Sequence, residues 1–166
     1  MAGEENLALE AMRGELHGLM VFAGSLAYGL ERVLGRGANA VNFRAGRNVG
    51  IKTDVKAKTD DPVKAIEFVR LELTRHGINW EIEPWKPASA SSYLYDKDGR
   101  TAMKLAFHNC MVRCTLFRFS HEQKLSLCQM EMGLLCGMLE KILGKRSQLT
   151  VLHAGENACF KELIIH

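Results

Sequence analysis

The sequence predicts an α+β fold in which helices pack on one antiparallel sheet of about four to five strands. Three observations lead to this class. The first half of the chain repeats apolar residues at helical spacing, the second half contains alternating segments joined by turn residues, and a long apolar helix interrupts those segments. The predicted order is ααα-βββ-α-ββ. Because the 166 residues contain no repeat and no linker, we expect residues 1–166 to form a single domain.

Three helices are predicted before the first strand. The segment from Leu7 to Leu34 carries an apolar stripe at helical spacing, although its glycines allow a break before His17. A second helix is expected from Asn39 to Lys56. The third has signals at both ends, since Asp61 can cap its first turn and Gly77 can end it.

Strands are marked by alternation and by turns. Residues Trp80 to Trp85 alternate apolar and acidic side chains, and the pair Asp98-Gly99 is typical of a tight turn. After that turn we expect two strands that pair with each other, and after the apolar helix a hairpin around residues 155–157. In order, these four strands are Thr101–Asn109, Met111–Phe119, Gln148–His153 and Ala158–Ile165.

The segment from Lys124 to Leu143 is the most apolar helix of the chain. Apolar residues cover most of its surface, so it must be buried on more than one side. Gly133 and Gly137 lie four residues apart and allow another element to approach closely, and Gly46 and Gly50 repeat this spacing. Core packing is the ordinary role of its Cys and Met residues. The wall of an apolar cavity is the alternative, because methionine adapts to irregular shapes.

Composition excludes several classes of protein. The net charge is only +3 and the basic residues are scattered, whereas nucleic-acid binding needs a concentrated patch of Lys and Arg. No apolar run approaches the roughly 20 residues of a membrane span, and the first ten residues lack the basic region of a signal peptide. We therefore expect a cytoplasmic protein whose five cysteines are reduced thiols.

The glycine and cysteine pattern resembles that of the 4-vinyl reductase domain family. Members typically show a helix that starts with Cys and contains Gly-x-x-x-Gly, followed by a strand and a hairpin with Cys and an aromatic residue. The matching segments here, including an upstream helix with its own Gly-x-x-x-Gly, are Cys128–Gly144, Gly155–Phe160 and Ala40–Gly50. This resemblance implies a module that binds small apolar molecules, and it does not imply a reductase.

The resemblance also raises the possibility of zinc. Some members bind zinc through the helix Cys, a Glu and two further Cys near the last hairpin, and Cys128 and Cys159 match two of these positions. The expected Glu and third Cys fall near Gln148 and Val151, so both are missing. His153 is the candidate replacement, because neutral imidazole is a good zinc ligand. The candidate metal ligands are therefore Cys128, His153 and Cys159, with Glu156 a weaker choice.

The leading hypothesis is a non-enzymatic module for a small apolar molecule, acting through a homodimer or another partner. Its candidate ligand-binding residues are Phe43, Trp80, Phe107, Cys128 and Met132. No catalytic residue is assigned, because no histidine has a nucleophile and an orienting acid at a recognisable spacing. Two alternatives remain: an assembly adaptor with a filled core, and an enzyme that uses Cys and His or zinc.

Overall fold

The computed structural model describes residues 2–78, 80–108, 110, 126–154 and 158–166. Within these residues the chain forms four helices and five strands, in the predicted order. The helices are α1 (Ala2–Leu34), α2 (Gly37–Lys52), α3 (Pro62–Arg75) and α4 (Ser126–Leu143). The strands are β1 (Glu81–Trp85), β2 (Leu94–Lys97), β3 (Arg100–His108), β4 (Ser147–Ala154) and β5 (Cys159–Ile165). The α+β class is therefore confirmed.

The strands form one antiparallel sheet in the order β1-β3-β5-β4. β1 and β2 share one edge of β3, where β1 pairs with its second half and β2 with its first. β5 pairs along the other edge of β3. Both edges of β3 are thus paired with described strands. The predicted strand 111–119 and its pairing lie outside the described part of the chain.

Helix α4 lies between the sheet and α2, as expected of a helix whose surface is mostly apolar. One side of α4 contributes a row of buried residues to the core formed with α3 and the inner face of the sheet. Burying each such side chain contributes about 1.5–3 kcal/mol. The core residues of α4 and their partners on the sheet include Met132, Leu135, Leu139, Ile142, Ile82, Leu105, Phe107 and Leu163.

The other side of α4 meets α2 through the two Gly-x-x-x-Gly pairs. A Cβ atom added to Gly133 would lie 2.0 Å from the carbonyl oxygen of Phe43, and one added to Gly46 would lie 2.0 Å from that of Met130. Gly50 and Gly137 are in equally close contact with the backbone of the opposite helix. The predicted close approach is confirmed, and only hydrogen atoms fit where these two backbones touch.

Some elements differ from the predictions. α1 is continuous through His17. α2 ends at Lys52 rather than Lys56, because the chain becomes extended at Thr53 and the following residues run along the end of α4, where the Thr59 N–H donates to the Ile142 carbonyl at 3.2 Å. β2 is an additional strand, formed because the Asp98-Gly99 turn folds Leu94–Lys97 back onto β3.

Local signals explain α3 well. The Asp61 carboxylate accepts hydrogen bonds from the N–H groups of Val63 and Lys64, and Gly77 takes a positive φ of 75° just after the helix.

Among the residues that the structure describes, no helix combines the length and apolar character needed to cross a membrane.

Candidate ligand site beside the central helix

A buried ion pair joins the first turns of α4 to β5. The Lys161 ammonium donates to the Glu131 carboxylate, and each side chain is only 1% exposed. Strand alternation turns Lys161 toward the helices together with Leu163 and Ile165. Its Nζ atom also lies 4.1 Å from the centre of the Phe107 ring. The ammonium of Lys161 on the inner face of the sheet is therefore held by a carboxylate and an aromatic ring.

Cysteine side chains surround this pair. The Cys110 thiol donates to the second oxygen of Glu131 at 3.8 Å, and Cys159 lies on β5 directly opposite Phe107. Burial raises the pKa of Cys128, which starts the same turn of α4 as Glu131, to about 12, and the Glu131 charge adds to that rise. This thiol is protonated at neutral pH, so it is a poor nucleophile.

Lys161 keeps its charge despite its burial. Desolvation lowers its pKa, but the charge and hydrogen bond of Glu131 outweigh that effect and raise the pKa above its ordinary value. A cation at this depth is stable only with a partner, because an unpaired buried charge is very costly. The Lys161–Glu131 pair is therefore a fixed feature of the fold.

The predicted metal ligands do not meet in one place. In the described part of β4, His153 pairs with Phe160 and Ala154 pairs with Cys159, so His153 and Cys159 point to opposite faces of the sheet. His153 is exposed and Cys159 is buried. Across the described residues no three His, Cys, Asp or Glu side chains are grouped so as to hold a metal ion. Glu156 lies outside those residues. With Lys161 beside the thiols, the described residues do not fit zinc.

Four of the five predicted ligand residues meet around the core. Trp80, Phe107 and Met132 belong to one buried cluster, and Phe43 packs against it from α2. The fifth, Cys128, is partly buried beside the ion pair. Trp80 differs from its neighbours in one respect: its indole N–H is buried and has no hydrogen-bond partner in the described part of the molecule. An orphaned buried donor costs about 1–3 kcal/mol.

Two crevices border this region. A larger one of about 1060 Å³ opens between α2, α4 and β4, and its walls include Phe43, Met132 and the ion pair of Arg47 with Glu140. A smaller one of about 360 Å³ opens between α3 and β1, with Trp80 as its inner wall. Trp80 thus separates an opening to solvent from the apolar core.

The predictions missed Glu131 and Lys161. A signal for both was present in the sequence, because each is a single charge inside an otherwise apolar pattern. Glu131 interrupts the apolar helix, and Lys161 occupies the same strand face as Cys159 and Leu163. Charged side chains are rarely buried without a partner of opposite charge. A lone acidic residue in one apolar element and a lone basic residue in another therefore predict that the two form a pair.

Comparison with known proteins identifies a solved structure with a similar fold. No protein-family model matches the chain, and no curated protein matches it in sequence. Among solved structures, the phenol-responsive sensory domain of the transcription activator PoxR, in a crystal structure with phenol, has a similar fold with a TM-score of 0.60. The match covers 88% of this chain and 74% of that chain at 15% sequence identity. The chain therefore shares the fold of a small-molecule sensory domain.

Proposed function

We propose that this protein is a small-molecule binding and sensing module of the 4-vinyl reductase domain type. Its ligand is a small, mainly apolar molecule with one hydrogen-bond acceptor. The observation that carries the proposal is the buried N–H of Trp80, which has no hydrogen-bond partner among the described residues and is set among apolar core residues. Such a group recovers its lost hydrogen bond when a ligand supplies an acceptor oxygen.

The surroundings of Trp80 suit an aromatic ligand. Phe107 and Met132, in the same buried cluster, offer a flat ring and a polarizable thioether, and both pack well against another ring. The fold shared with a phenol-responsive sensory domain supports the same class of ligand. Catalysis by cysteine has less support, because burial raises the pKa of Cys136 to about 11, so that thiol too is protonated at neutral pH.

The test compares phenol with toluene, which has the same shape without the acceptor. The Trp85→Phe variant leaves Trp80 as the single tryptophan, so its fluorescence reports on the site directly. We expect phenol to change that fluorescence in a saturable way. By calorimetry, Trp80→Phe should weaken phenol binding roughly tenfold, which corresponds to about one hydrogen bond. Toluene affinity should change much less.

Trp85→Phe is also the matched control, because Trp85 is partly exposed and packs edge-to-face on Phe160. It should leave the affinity for phenol unchanged. Absence of any saturable response to phenol and related phenols would contradict the proposed ligand class. An equal loss of phenol and toluene binding in Trp80→Phe would show that the indole acts by shape rather than as a donor.

A second proposal concerns assembly, and a specific surface favours it. Exposed apolar side chains on α1 are spaced three, four and seven residues apart, which is the spacing of a helix–helix seam; they are Leu19, Phe22, Leu26 and Val33. Two copies paired antiparallel along this part of α1 would cover these side chains on both helices. We propose a homodimer on this seam.

Sedimentation velocity tests the dimer. Leu26→Glu places a charge in the seam and should produce monomers. Leu71→Glu is the control, because Leu71 is equally exposed but lies on α3, away from the seam. A monomeric wild type would contradict the homodimer, and an unchanged dimer in Leu26→Glu would assign the interface to another surface.

A further inference from the structure

The outer face of the sheet, on the side away from α4, carries its own group of aromatic rings. Strand alternation directs Trp85 and Lys104, which pair across β1 and β3, to this face, whereas Leu105 and Phe107 belong to the core. The Trp85 ring packs edge-to-face on Phe160, with the ring centres 5.4 Å apart. Because Trp85 is 38% exposed, part of its ring remains open to contact with another molecule.

A cleft of about 430 Å³ lies beside Trp85 and is bordered by the chain that connects β1 to β2. Its volume is within the roughly 300–1,000 Å³ typical of ligand pockets. Tyr93 and Tyr95 also line it, and the Tyr95 hydroxyl donates to the Glu162 carboxylate, which Lys97 binds as well. These bonds fix the Tyr95 ring, and rings that are fixed before binding lose little entropy when a ligand packs on them. The cleft is therefore a pre-formed aromatic site.

Two lysines line the same cleft, and each lies over an aromatic ring. The Lys104 Nζ atom is 5.6 Å from the centre of the Trp85 ring, and the Lys86 Nζ atom is 5.6 Å from that of Tyr93. The Lys86 ammonium also donates to the Ala90 carbonyl. An ammonium group has three N–H donors, so each lysine can donate to a ligand as well. Of the described residues that line this cleft, none is Asp or Glu, so the charge that they present is positive.

We propose that this cleft is a second binding site, which takes a small planar aromatic acid. The ring of the ligand packs against the open parts of Trp85 and Tyr93, and its carboxylate accepts hydrogen bonds from Lys104 and Lys86. Charge separates this ligand from the one proposed for the core, because an anion loses its hydration in an apolar site without a paired cation. The inference is independent of the proposed site at Trp80, which belongs to the core on the other face of the sheet.

The experiment compares benzoate with benzamide, which has nearly the same planar shape but no charge. In the Trp80→Phe variant Trp85 is the single tryptophan, so its fluorescence reports on this cleft. We expect benzoate to change that fluorescence in a saturable way, and benzamide to bind at least about tenfold more weakly. Added salt should weaken the binding of benzoate, because it screens the lysine charges.

Calorimetry on the chain with Trp80 intact supplies the matched variants. Lys104→Gln should weaken benzoate binding about tenfold and leave benzamide binding unchanged. Lys56→Gln removes an equal charge at an exposed position that lines a different crevice, and it should leave benzoate binding unchanged.

Three results overturn the proposal: no saturable response to benzoate, equal affinities for benzoate and benzamide, or equal effects of the two lysine variants. Benzoate binding that persists in Lys104→Gln but is lost in Trp80→Phe places the acid in the core and overturns it as well. The phenol titration of Trp85→Phe follows the other tryptophan, so failure of one proposal is distinguishable from failure of the other.

Discussion

Helices α1 and α4 look alike in sequence and differ completely in their surroundings. Both repeat apolar residues at helical spacing, and both contain several glycines. Leu135 of α4 is 2% exposed, whereas Leu26 of α1 is 57% exposed. Apolar periodicity therefore identifies the face of a helix that will contact something, but it does not say whether the contact lies within the same chain.

The glycines make the same distinction at atomic scale. Gly133 and Gly137 touch the backbone of α2, so any side chain there would overlap with it. Gly14, Gly18 and Gly29 of α1 have open space around them. Identical spacing thus reflects a helix–helix contact only where a partner helix carries the complementary glycines, as α2 does.

The largest expected effect comes from the α2–α4 contact. Gly133→Ala places a methyl group 2.0 Å from the Phe43 carbonyl oxygen, which neither backbone can accommodate without moving apart. We expect a loss of more than about 4 kcal/mol of unfolding free energy, or no folded protein. Gly29→Ala is the control and should gain up to about 1 kcal/mol from helix propensity. Urea denaturation measures the unfolding free energy of both variants. Similar changes in the two would contradict the conclusion that only the α4 glycines lie in a tight helix–helix contact.

A smaller difference in unfolding free energy is expected between a leucine variant of α4 and one of α1. Leu135→Ala leaves a cavity in the core and should cost about 3 kcal/mol. Leu26→Ala should change the stability of a monomer by less than about 0.5 kcal/mol. Thermal unfolding at several protein concentrations sharpens the comparison, because a seam between two copies makes the effect of Leu26→Ala depend on concentration.

The ion pair between α2 and α4 should contribute less to the stability of the fold than the core leucine does. Arg47 donates to both oxygens of Glu140, at 3.1 and 2.5 Å, across the partly buried edge of the contact. Glu140→Gln should cost about 1 kcal/mol in urea denaturation. The exposed pair of Lys56 and Asp54 is the control, and Asp54→Asn should have no measurable effect. An equal loss of unfolding free energy in the two variants would mean that the Arg47–Glu140 pair does not stabilise the contact between α2 and α4.

The smallest effect is a pH dependence on the outer face of the sheet. The hydrogen bond from Lys97, with a further one from the Tyr95 hydroxyl, holds the pKa of Glu162 below its ordinary value of 4.5. A lowered pKa stabilises the fold above pH 4.5, and that contribution is lost as the pH falls through the folded pKa. The stability difference between wild type and Glu162→Gln should therefore shrink below pH 4.5. A difference that is constant down to pH 3 would contradict this role.

Much of the fold was predictable because its signals are local. Asp61 and Gly77 bound α3 through their own backbone contacts, and the alternation of Trp80–Trp85 follows from one face of β1 being buried. The end of α2 was not predictable, since residues 53–59 leave the helix to reach the end of α4, far away in sequence. For the site, Trp80, Phe107 and Met132 lie together in the core, and their role in ligand binding stays a prediction. The placement of His153 relative to Cys159 was not predictable, because it depends on the strand register.

The sequence by itself determined the class of fold, the order of its elements and the central, buried position of α4. These depend on periodicity, caps and turns, which act over a few residues. Only the tertiary structure decided that Gly46 and Gly50 face Gly133 and Gly137, that Trp80 lacks a partner among the described residues, and that Lys161 lies among the cysteines. Each of these is a contact between distant segments, and its energy depends on distances that no local pattern encodes.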